Sequence, residues 1–526
     1  MIITQSRSWS AVVYGLTALS TTVVLSQTAA PSQSEEFKSD EYLLLGSPNR
    51  GAGEPMVFVN PKDSNNIIVV AMATLNRLPT GETPLPRGGG PAAPGAARGA
   101  GAPGGPPAPN PARTALRIKE LSTPDGSRTD IAVTYDGGKT WQFSEDNFRK
   151  VLSKNRCSDS FAGAGPDGTL YLGCLSYLNR GDAAYADGAS ANGESLNPGG
   201  GSAIAWSTDK GKTWSDPKYV HPLHSPELYA PNVHPVVTQV SPVDRPYFAA
   251  DAQTGAVYVS GSGSAYTVDP ATPRARTFIR ASHDQAKTWG VIYPIDSDDY
   301  PGGRGGFSAA HGVLAVGYTA AKVPASLKAQ CPCTVFGTSK DDGKTFTYQL
   351  VPDVPAEPAS VSPPAAGRGI GPGGGVMVAA DQTKEGWFAV ARQSGSTLLV
   401  SLTEDGGKTW RPPVLAAQLP TGATFGHRAM KYSATTGALA LLWKATYPDR
   451  TYDFWSSASL DGGRTFKTVR VSHAISPPTN LERGNFGFGD DLATVDVDGQ
   501  YVHMVWGDNR SGFFGTWYGR VPLSAY

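Results

Sequence analysis

Ser207-Thr208-Asp209-Lys210-Gly211-Lys212-Thr213-Trp214 is the stretch that decides the fold, because its pattern returns along almost the whole chain. The pattern is Ser/Thr-x-Asp-x-Gly-x-Thr-aromatic, and each copy is called an Asp repeat below. In the third copy Ala286 stands in place of the Gly. Internal repeats spaced by tens of residues indicate a fold built from similar units arranged side by side. The six copies carry their aspartates at Asp136, Asp209, Asp284, Asp341, Asp405 and Asp461.

Each Asp repeat predicts a tight turn between two strands. An Asp at the head of a turn accepts hydrogen bonds from the backbone N–H groups that follow, and a Gly allows the positive φ that such turns need. The Thr resumes an extended strand, and the Trp or Phe gives the turn an apolar surface to pack. We therefore expect these aspartates to be structural and not catalytic.

The segments between the repeats predict four-stranded antiparallel blades. Apolar strands alternate with Gly-bearing turns, no window shows a sustained helical period, and the repeat aspartates lie 56 to 75 residues apart. After the sixth repeat, residues 492–497, 501–506 and 513–521 supply three more strands, and residues 41–45 could supply a fourth. Strands from both ends of the chain would then close the ring and leave no open sheet edge. The prediction is an all-β fold, a β-propeller of seven blades, with six as the alternative.

The Asp repeats resemble the Asp-boxes, or bacterial neuraminidase repeats, of sialidase-like β-propellers, and the resemblance runs from about Gly46 to the C-terminus. It implies that each repeat joins the third and fourth strands of a blade and that the substrate is a carbohydrate or glycoconjugate. Sialidases hold the substrate carboxylate with three arginines, the first in an Arg-Ile-Pro tripeptide, and use a Tyr nucleophile with a Glu and an Asp. Here the corresponding stretch is Gly53-Glu54-Pro55, so an acid replaces the base. This departure argues against sialic-acid hydrolysis by the family's own residues.

The composition and the N-terminal segment indicate where the protein is located and which partners it can have. The formal net charge of the 526 residues is zero, so there is no basic surface to attract nucleic acid. Residues 1–30 combine Arg7, an apolar stretch and Thr28-Ala29-Ala30, which predicts a cleaved signal peptide, with an uncleaved anchor as the alternative. We expect a secreted protein, periplasmic or extracellular, that is not held in a membrane after cleavage. Residues 31–526 are predicted to form a single propeller domain, interrupted at about 79–113 by a disordered insertion rich in Gly, Ala and Pro.

The four cysteines fall into two pairs, which are interpreted separately. Cys157 and Cys174 flank a predicted strand–turn–strand unit and could form a disulfide, which an exported protein permits. Cys331-Pro332-Cys333 is either a tight local disulfide or half of a metal site, and no nearby His or Cys cluster completes a zinc pattern.

The candidate site consists of polar residues just ahead of the first apolar strand of each blade. Blades are related by rotation, so equivalent positions converge at the central channel even when they are far apart in sequence. The carboxylates are predicted to act as acid, base or nucleophile, and the basic residues to bind substrate. No cofactor or metal is predicted, apart from a structural Ca²⁺ that a ring of carboxylates could hold. The catalytic candidates are Glu54, Asp159, Asp244 and Asp490, and the substrate-binding candidates are Arg245, Arg304, His427 and Arg428.

Three functions fit this sequence. The preferred one is a glycoside hydrolase that uses two of the carboxylates. The second is a polysaccharide lyase, in which arginines neutralise a uronate and His427, His311, His234 or a channel Tyr removes a proton. The third is a non-catalytic propeller that binds glycans or proteins. Propellers host all three functions, and the preference for a glycan-directed enzyme comes from the resemblance.

Overall fold

Strands make up nearly all of the regular structure in the described residues. The computed structural model describes residues 39–48, 50–75, 128–148, 155–178, 201–222, 226–236, 246–352, 375–478 and 492–526. The predicted signal peptide and the predicted insertion lie outside these residues. The helices that lie wholly within them are three short 3-10 turns, and none is long and apolar enough to cross a membrane.

The strands form seven antiparallel sheets, which are the blades of a propeller. Each blade is numbered in chain order, and its strands follow one another from the channel outward, except that in blade 3 both β10 and β11 pair with β12. Blade 7 takes its outermost strand from the N-terminal side of the chain. Blade 1 contains β2 (Arg50–Asn60), β3 (Asp63–Leu75), β4 (Arg128–Thr134) and β5 (Gln142–Glu145); blade 2 contains β6 (Asn155–Ala164), β7 (Leu170–Leu178), β8 (Gly201–Ser207) and β9 (Lys218–Pro222); blade 3 contains β10 (His234–Val236), β11 (Phe248–Ala250), β12 (Val257–Tyr266), β13 (Arg274–Ser282) and β14 (Tyr293–Pro294); blade 4 contains β15 (Gly302–Ala310), β16 (Val313–Ala320), β17 (Cys333–Ser339) and β18 (Thr347–Leu350); blade 5 contains β19 (Val376–Ala380), β20 (Phe388–Ser394), β21 (Thr397–Thr403) and β22 (Val414–Gln418); blade 6 contains β23 (Thr424–Tyr432), β24 (Leu439–Thr446), β25 (Tyr452–Ser459) and β26 (Lys467–Arg470); blade 7 contains β27 (Ala493–Val497), β28 (Tyr501–Asp508), β29 (Gly515–Pro522) and β1 (Asp40–Leu45).

The first strands of the blades form a closed ring. Strands β2, β6, β11, β15, β19, β23 and β27 each contact the next, and β27 contacts β2 again. In blade 7, β1 pairs with β29, so that Asp40 lies opposite Arg520. The predictions of an all-β propeller, of seven blades, and of a last blade completed from both ends of the chain are confirmed.

The six Asp repeats share one set of hydrogen bonds. The Ser or Thr hydroxyl donates to the aspartate at 2.6–2.9 Å, and the later Thr donates through its backbone N–H at 2.8–2.9 Å and its hydroxyl at 2.6–2.7 Å. Every repeat connects the third strand of its blade to the fourth, as predicted. Blade 7 cannot contain such a connection, because its third and fourth strands, β29 and β1, are not consecutive in the chain.

In blades 1 and 5, the aromatic residue of the Asp repeat packs against the preceding blade. Trp141 of blade 1 donates a hydrogen bond to the Tyr42 hydroxyl at 2.7 Å and lies edge-on to Tyr518, and both tyrosines belong to blade 7. Trp410 of blade 5 is edge-on to Phe336 of blade 4 in the same way. The repeats therefore fasten neighbouring blades together as well as neighbouring strands.

The Asp repeats and the turns between first and second strands lie on the same face of the propeller, because successive strands are antiparallel. We call this the repeat face. The connections from second to third strand, and from one blade to the next, lie on the opposite face. Each inner strand runs from that opposite face towards the repeat face.

Candidate functional site

Four inner strands contain a β-bulge at the same level. In each, two residues of the inner strand lie opposite a single residue of the second strand, within β2, β6, β15 and β23. A bulge bends its strand and turns side chains away from the regular alternation, which is why bulges are common beside active sites. The four inner-strand bulges are Glu54-Pro55 opposite Ala71, Asp159-Ser160 opposite Cys174, Gly303-Arg304 opposite Thr319, and Gly426-His427 opposite Lys444.

Each bulge contains one predicted site residue. Glu54 and Asp159 are the first residues of their bulges, Arg304 and His427 are the second residues, and Arg428 follows directly. The sequence predicted these residues just ahead of the inner strands, and this was wrong in one respect. The inner strands begin several residues earlier, so the residues lie within them. The strand starts were placed at the first run of apolar residues, and the polar and Gly residues of the bulges stand before those runs.

Two acidic residues occupy the left-handed region of backbone conformation. Glu54 has φ 51° and Asp159 has φ 45°. A side chain with a Cβ costs about 1–2 kcal/mol in this region relative to the usual ones. Such residues persist where the surroundings over-determine them, and they cluster at functional sites. Blades 1 and 2 are neighbours and β2 contacts β6, so these two acids occupy equivalent positions in adjacent blades.

The bulge of blade 2 is held from both sides. Cys157 and Cys174 form a disulfide across β6 and β7, as the sequence predicted. The Thr129 hydroxyl lies 2.6 Å from the Ser160 hydroxyl and 3.1 Å from the Cys157 sulfur. Asp159 donates its backbone N–H to the Met72 sulfur of blade 1 at 3.3 Å. The position of Asp159 is therefore fixed by a covalent link and by contacts with the preceding blade.

The bulge of blade 4 is held by a buried ion pair. Asp296 accepts the backbone N–H of Gly302 at 3.1 Å, and the same carboxylate lies 2.7 Å from Nε of Arg276. Burial raises the pKa of Asp296, although the arginines beside it act in the opposite direction. On the other side of the bulge, Gly305 donates its N–H to the Thr277 hydroxyl at 3.2 Å. Both flanks of Arg304 are thus anchored to blade 3 and to the connection that follows it.

Arg428 is a buried cation. Its guanidinium donates a hydrogen bond to the Gln393 side-chain oxygen of blade 5 and lies 5.9 Å from the Phe425 ring centroid. It forms no ion pair with any residue in the described part of the chain. Burial lowers the pKa of Arg428 to about 10, so the side chain stays charged at neutral pH. A buried charge is normally paired, and this one is well suited to an anionic group of a ligand.

The remaining predicted residues are placed differently. Asp244, Arg245 and Asp490 lie outside the described residues. Two of the three histidines considered as lyase bases are not at the bulges. His311 lies in the turn between β15 and β16 on the repeat face, where its backbone N–H is held by Asp251 at 3.1 Å. His234 lies in β10 and stacks on Tyr266.

Cys331 and Cys333 form a local disulfide, so the metal interpretation of that motif was wrong. The two cysteines lie at the start of β17, on the face opposite the Asp repeats. Among the described residues, no group of three or more His, Cys, Asp or Glu side chains is placed to hold a metal ion.

Several solved structures are similar to this chain at low identity. No family model matches the chain, and no curated protein matches it. Among solved structures, a protein of unknown function from Dyadobacter fermentans is similar at 12% identity and a TM-score of 0.46, over 92% of this chain and 99% of that one. A Trypanosoma rangeli sialidase in complex with the inhibitor DANA is similar at 12% identity and a TM-score of 0.41, over 81% of this chain and 60% of that one. The intramolecular trans-sialidase from Ruminococcus gnavus is similar at 12% identity and a TM-score of 0.39, over 72% of this chain and 96% of that one.

The chain is a seven-bladed propeller, which is the fold that the resemblance of its Asp repeats implied. Identities of 12% and TM-scores below 0.5 carry no argument of their own.

Proposed function

We propose that this protein is an exported glycoside hydrolase that acts on glycans bearing a carboxylate. The observation that carries the proposal is the set of inner-strand bulges, which contains two acids and two cationic or titratable side chains on strands around one channel. The buried Arg428, which follows the blade 6 bulge, adds a cation for the substrate's acidic group. The resemblance of the Asp repeats to those of sialidase-like propellers supports a glycan as the substrate.

Glu54 and Asp159 are assigned to the chemistry. Glycoside hydrolysis needs one carboxylic acid to protonate the leaving oxygen and one carboxylate to attack the sugar or to activate water. These residues are the acids at the described bulges. Their positive φ values cost stability, which Gly would avoid, and this cost supports a role for the carboxyl groups. Arg428 and Arg304 are assigned to the substrate carboxylate, because a guanidinium binds a carboxylate through two parallel hydrogen bonds.

Export is supported by two observations. Residues 1–30 have the pattern of a signal peptide. The chain also contains two disulfides, which persist in oxidising compartments outside the cytosol.

A lyase is the second candidate, and one observation favours it. His427 and Arg428 are consecutive at one bulge, and a lyase needs a base beside the cation that neutralises a uronate. The base removes the C5 proton, and the leaving oxygen departs with the electrons of its bond to C4, so the product is an unsaturated uronate.

The experiment is a screen of the purified mature chain against neutral, sialylated and uronate-containing glycans. New reducing ends without ultraviolet absorbance from an unsaturated uronate support the hydrolase. Reducing ends with that absorbance support the lyase, and loss of the absorbance in His427→Ala would assign the base to His427. The absence of both signals would refute catalysis and leave a binding propeller.

Arg428→Gln tests the substrate assignment. It should raise KM for an acidic glycan by about tenfold or more, since a charge-assisted pair is lost. The matched control is Arg411→Gln, at an exposed arginine on the repeat face whose ion pair with Glu404 contributes little. Equal KM values in the two variants would contradict the assignment.

A further inference from the structure

A cavity of about 540 Å³ lies in the channel on the repeat face. The later halves of the inner strands form its wall, and the turns between first and second strands form its rim. None of the bulge residues Glu54, Asp159, Arg304 and His427 lines it. The nearest lining residue on β2 is Met56, two residues or about 7 Å along the strand from Glu54. The cavity is therefore distinct from the candidate active site.

Three side chains from three blades meet in this cavity. Phe58 of blade 1 lies edge-on to Phe248 of blade 3, with 6.4 Å between ring centroids. Lys431 of blade 6 places its ammonium 4.4 Å from the centroid of the Phe58 ring. The wall around them is mostly apolar and includes Met377 and Met430. Water is poorly ordered where few polar partners are available, so an apolar part of a ligand that displaces this water binds more tightly.

The Lys431 ammonium has three donors to satisfy. In the part of the chain that the structure describes, it forms no ion pair and no hydrogen bond, and its contact is with the face of an aromatic ring. A cation over a ring is stabilised by the ring quadrupole, but its N–H groups remain available to an acceptor. Lys431 is partly exposed to the cavity.

The carboxylates that line the same cavity are already hydrogen-bonded. Asp496 accepts the backbone N–H of Val59 at 2.9 Å and that of Val497 at 2.9 Å. Asp498 lies 2.9 Å from Nε2 of His503 and accepts two backbone N–H groups of its own turn. The other lining cation, Lys62, is exposed at the rim. Lys431 is thus the lining charge that faces the cavity and lacks an oxygen partner among the described residues.

We propose that this cavity is a second binding site, and that it takes a small amphipathic anion. The apolar or aromatic body of the ligand packs against Phe58 and Phe248, and its carboxylate or sulfonate accepts hydrogen bonds from the Lys431 ammonium. The volume lies within the range of small-molecule sites, which is about 300–1,000 Å³. This site does not depend on the proposed hydrolysis, since its lining does not include Glu54, Asp159, Arg304, His427 or Arg428.

Two fluorescent probes of nearly the same shape test the proposal. 8-Anilinonaphthalene-1-sulfonate carries the anion, and N-phenyl-1-naphthylamine lacks it. Both are titrated into the purified full chain, into Lys431→Met and into Lys467→Met, a matched control at an exposed lysine of β26. Lys431→Met should weaken the sulfonate probe by about tenfold and leave the neutral probe nearly unchanged, because only the charge interaction is lost. Lys467→Met should change neither.

Two further variants separate the charge from the apolar wall. Lys431→Arg should retain most of the sulfonate affinity. Phe58→Leu should weaken both probes to a similar extent, because it shortens the apolar wall and keeps the cation. Circular dichroism confirms that each variant is folded. The proposal is overturned if wild-type protein shows no saturable binding of one sulfonate probe per chain, or if Lys431→Met changes both probes equally.

Discussion

The repeat face and the inner-strand bulges solve the same backbone problem with different residues. Both need a left-handed conformation at defined positions. In the Asp repeats, the second left-handed position is Gly in all copies except the third, where Ala286 adopts φ 65°. At the bulges of blades 1 and 2, the left-handed residues are Glu54 and Asp159. The repeat face uses Gly at this second position in five copies and has Lys210, Gln285 and Asp342 at the first left-handed position of three copies, whereas the bulges of blades 1 and 2 place acidic side chains in this conformation.

This difference indicates what each region is for. The Asp repeats contribute hydrogen bonds that are the same in six blades and that join strands and blades. The bulges differ from blade to blade in residue type although their geometry is shared. A region that repeats its chemistry serves the fold, and a region that varies its chemistry on a repeated geometry is a better candidate for function.

The largest effect should come from removing the bulge carboxyls. Glu54→Gln and Asp159→Asn each keep the size of the side chain and should lower kcat on the glycan substrate by roughly 10²–10⁴-fold, because the acid or nucleophile is lost. Asp405→Asn, on the repeat face, should leave kcat within about twofold and lower Tm by about 2 °C, since it weakens hydrogen bonds in one turn. Kinetics and thermal melts on the three variants measure the contrast. A loss of kcat in Asp405→Asn as large as in Glu54→Gln would contradict the assignment of structure to the repeats and catalysis to the bulges.

The two disulfides should differ in their contributions to stability. Cys157 and Cys174 are 17 residues apart, and removing both thiols as alanines should lower the free energy of unfolding by about 3 kcal/mol. Cys331 and Cys333 close a loop of only 2 residues of separation, so the same double substitution there should cost clearly less. Urea denaturation measures both.

The variant that lacks Cys157 and Cys174 should also lose activity, because the disulfide holds the bulge that carries Asp159. Full activity would show that Asp159 does not need this support.

Substitutions at two glycines of the repeat face distinguish the cost of backbone conformation from the cost of packing. Gly255 has φ +75°, and no atom lies within 4 Å of the point that an added Cβ would occupy, so Gly255→Ala should cost about 1 kcal/mol from conformation alone. At Gly407 (φ +93°) a Cβ would lie 2.8 Å from two atoms of the Phe336 ring, so Gly407→Ala should cost about 2–4 kcal/mol. Denaturant midpoints give the difference. Equal losses would mean that the Phe336 ring moves away without cost.

The smallest effect is a dependence of stability on acid pH that comes from the repeat face. At Asp209 and Asp461 burial acts to raise the pKa, but hydrogen bonds from the Ser and Thr of the repeat outweigh it and bring the pKa to about 2. A folded pKa below the unfolded value of about 3.9 stabilises the fold at higher pH. This contribution is complete above about pH 4 and is lost as the pH falls towards 2, because the unfolded chain binds protons first.

Thermal melts between about pH 5 and pH 2 measure this dependence. Asp209→Asn combined with Asp461→Asn should lower Tm at neutral pH and make the fall towards acid shallower than in the wild type. An unchanged slope in the double variant would assign the acid sensitivity to other carboxylates.

The fold could be predicted from the sequence because its signals repeat. Six Asp repeats marked six connections, and the unpaired strands at the two ends marked the seventh blade. The candidate site was predicted only in part. The repeats located the inner strands, so Glu54, Asp159, Arg304 and His427 could be named as candidates, but the bulges themselves leave no common residue pattern. Their first residues are Glu, Asp, Gly and Gly.

The second site could not have been predicted in this way. Phe58, Phe248 and Lys431 come from separate parts of the chain and meet only when the ring closes. No spacing along the sequence relates them, and each side chain alone is ordinary for an inner strand.

The pairing of β1 with β29 also sets a limit on how the protein is made. Asp40 and Arg520 are separated by 480 residues, so the contact that completes blade 7 is among the most non-local in the chain. During synthesis, the ribosome must deliver nearly every residue before this contact can form. Until then, blades 1 and 6 lack the neighbour that covers one side of each. The sides of blades 1 and 6 that face blade 7 therefore stay uncovered until that blade assembles, and the pairing of β1 with β29 completes it.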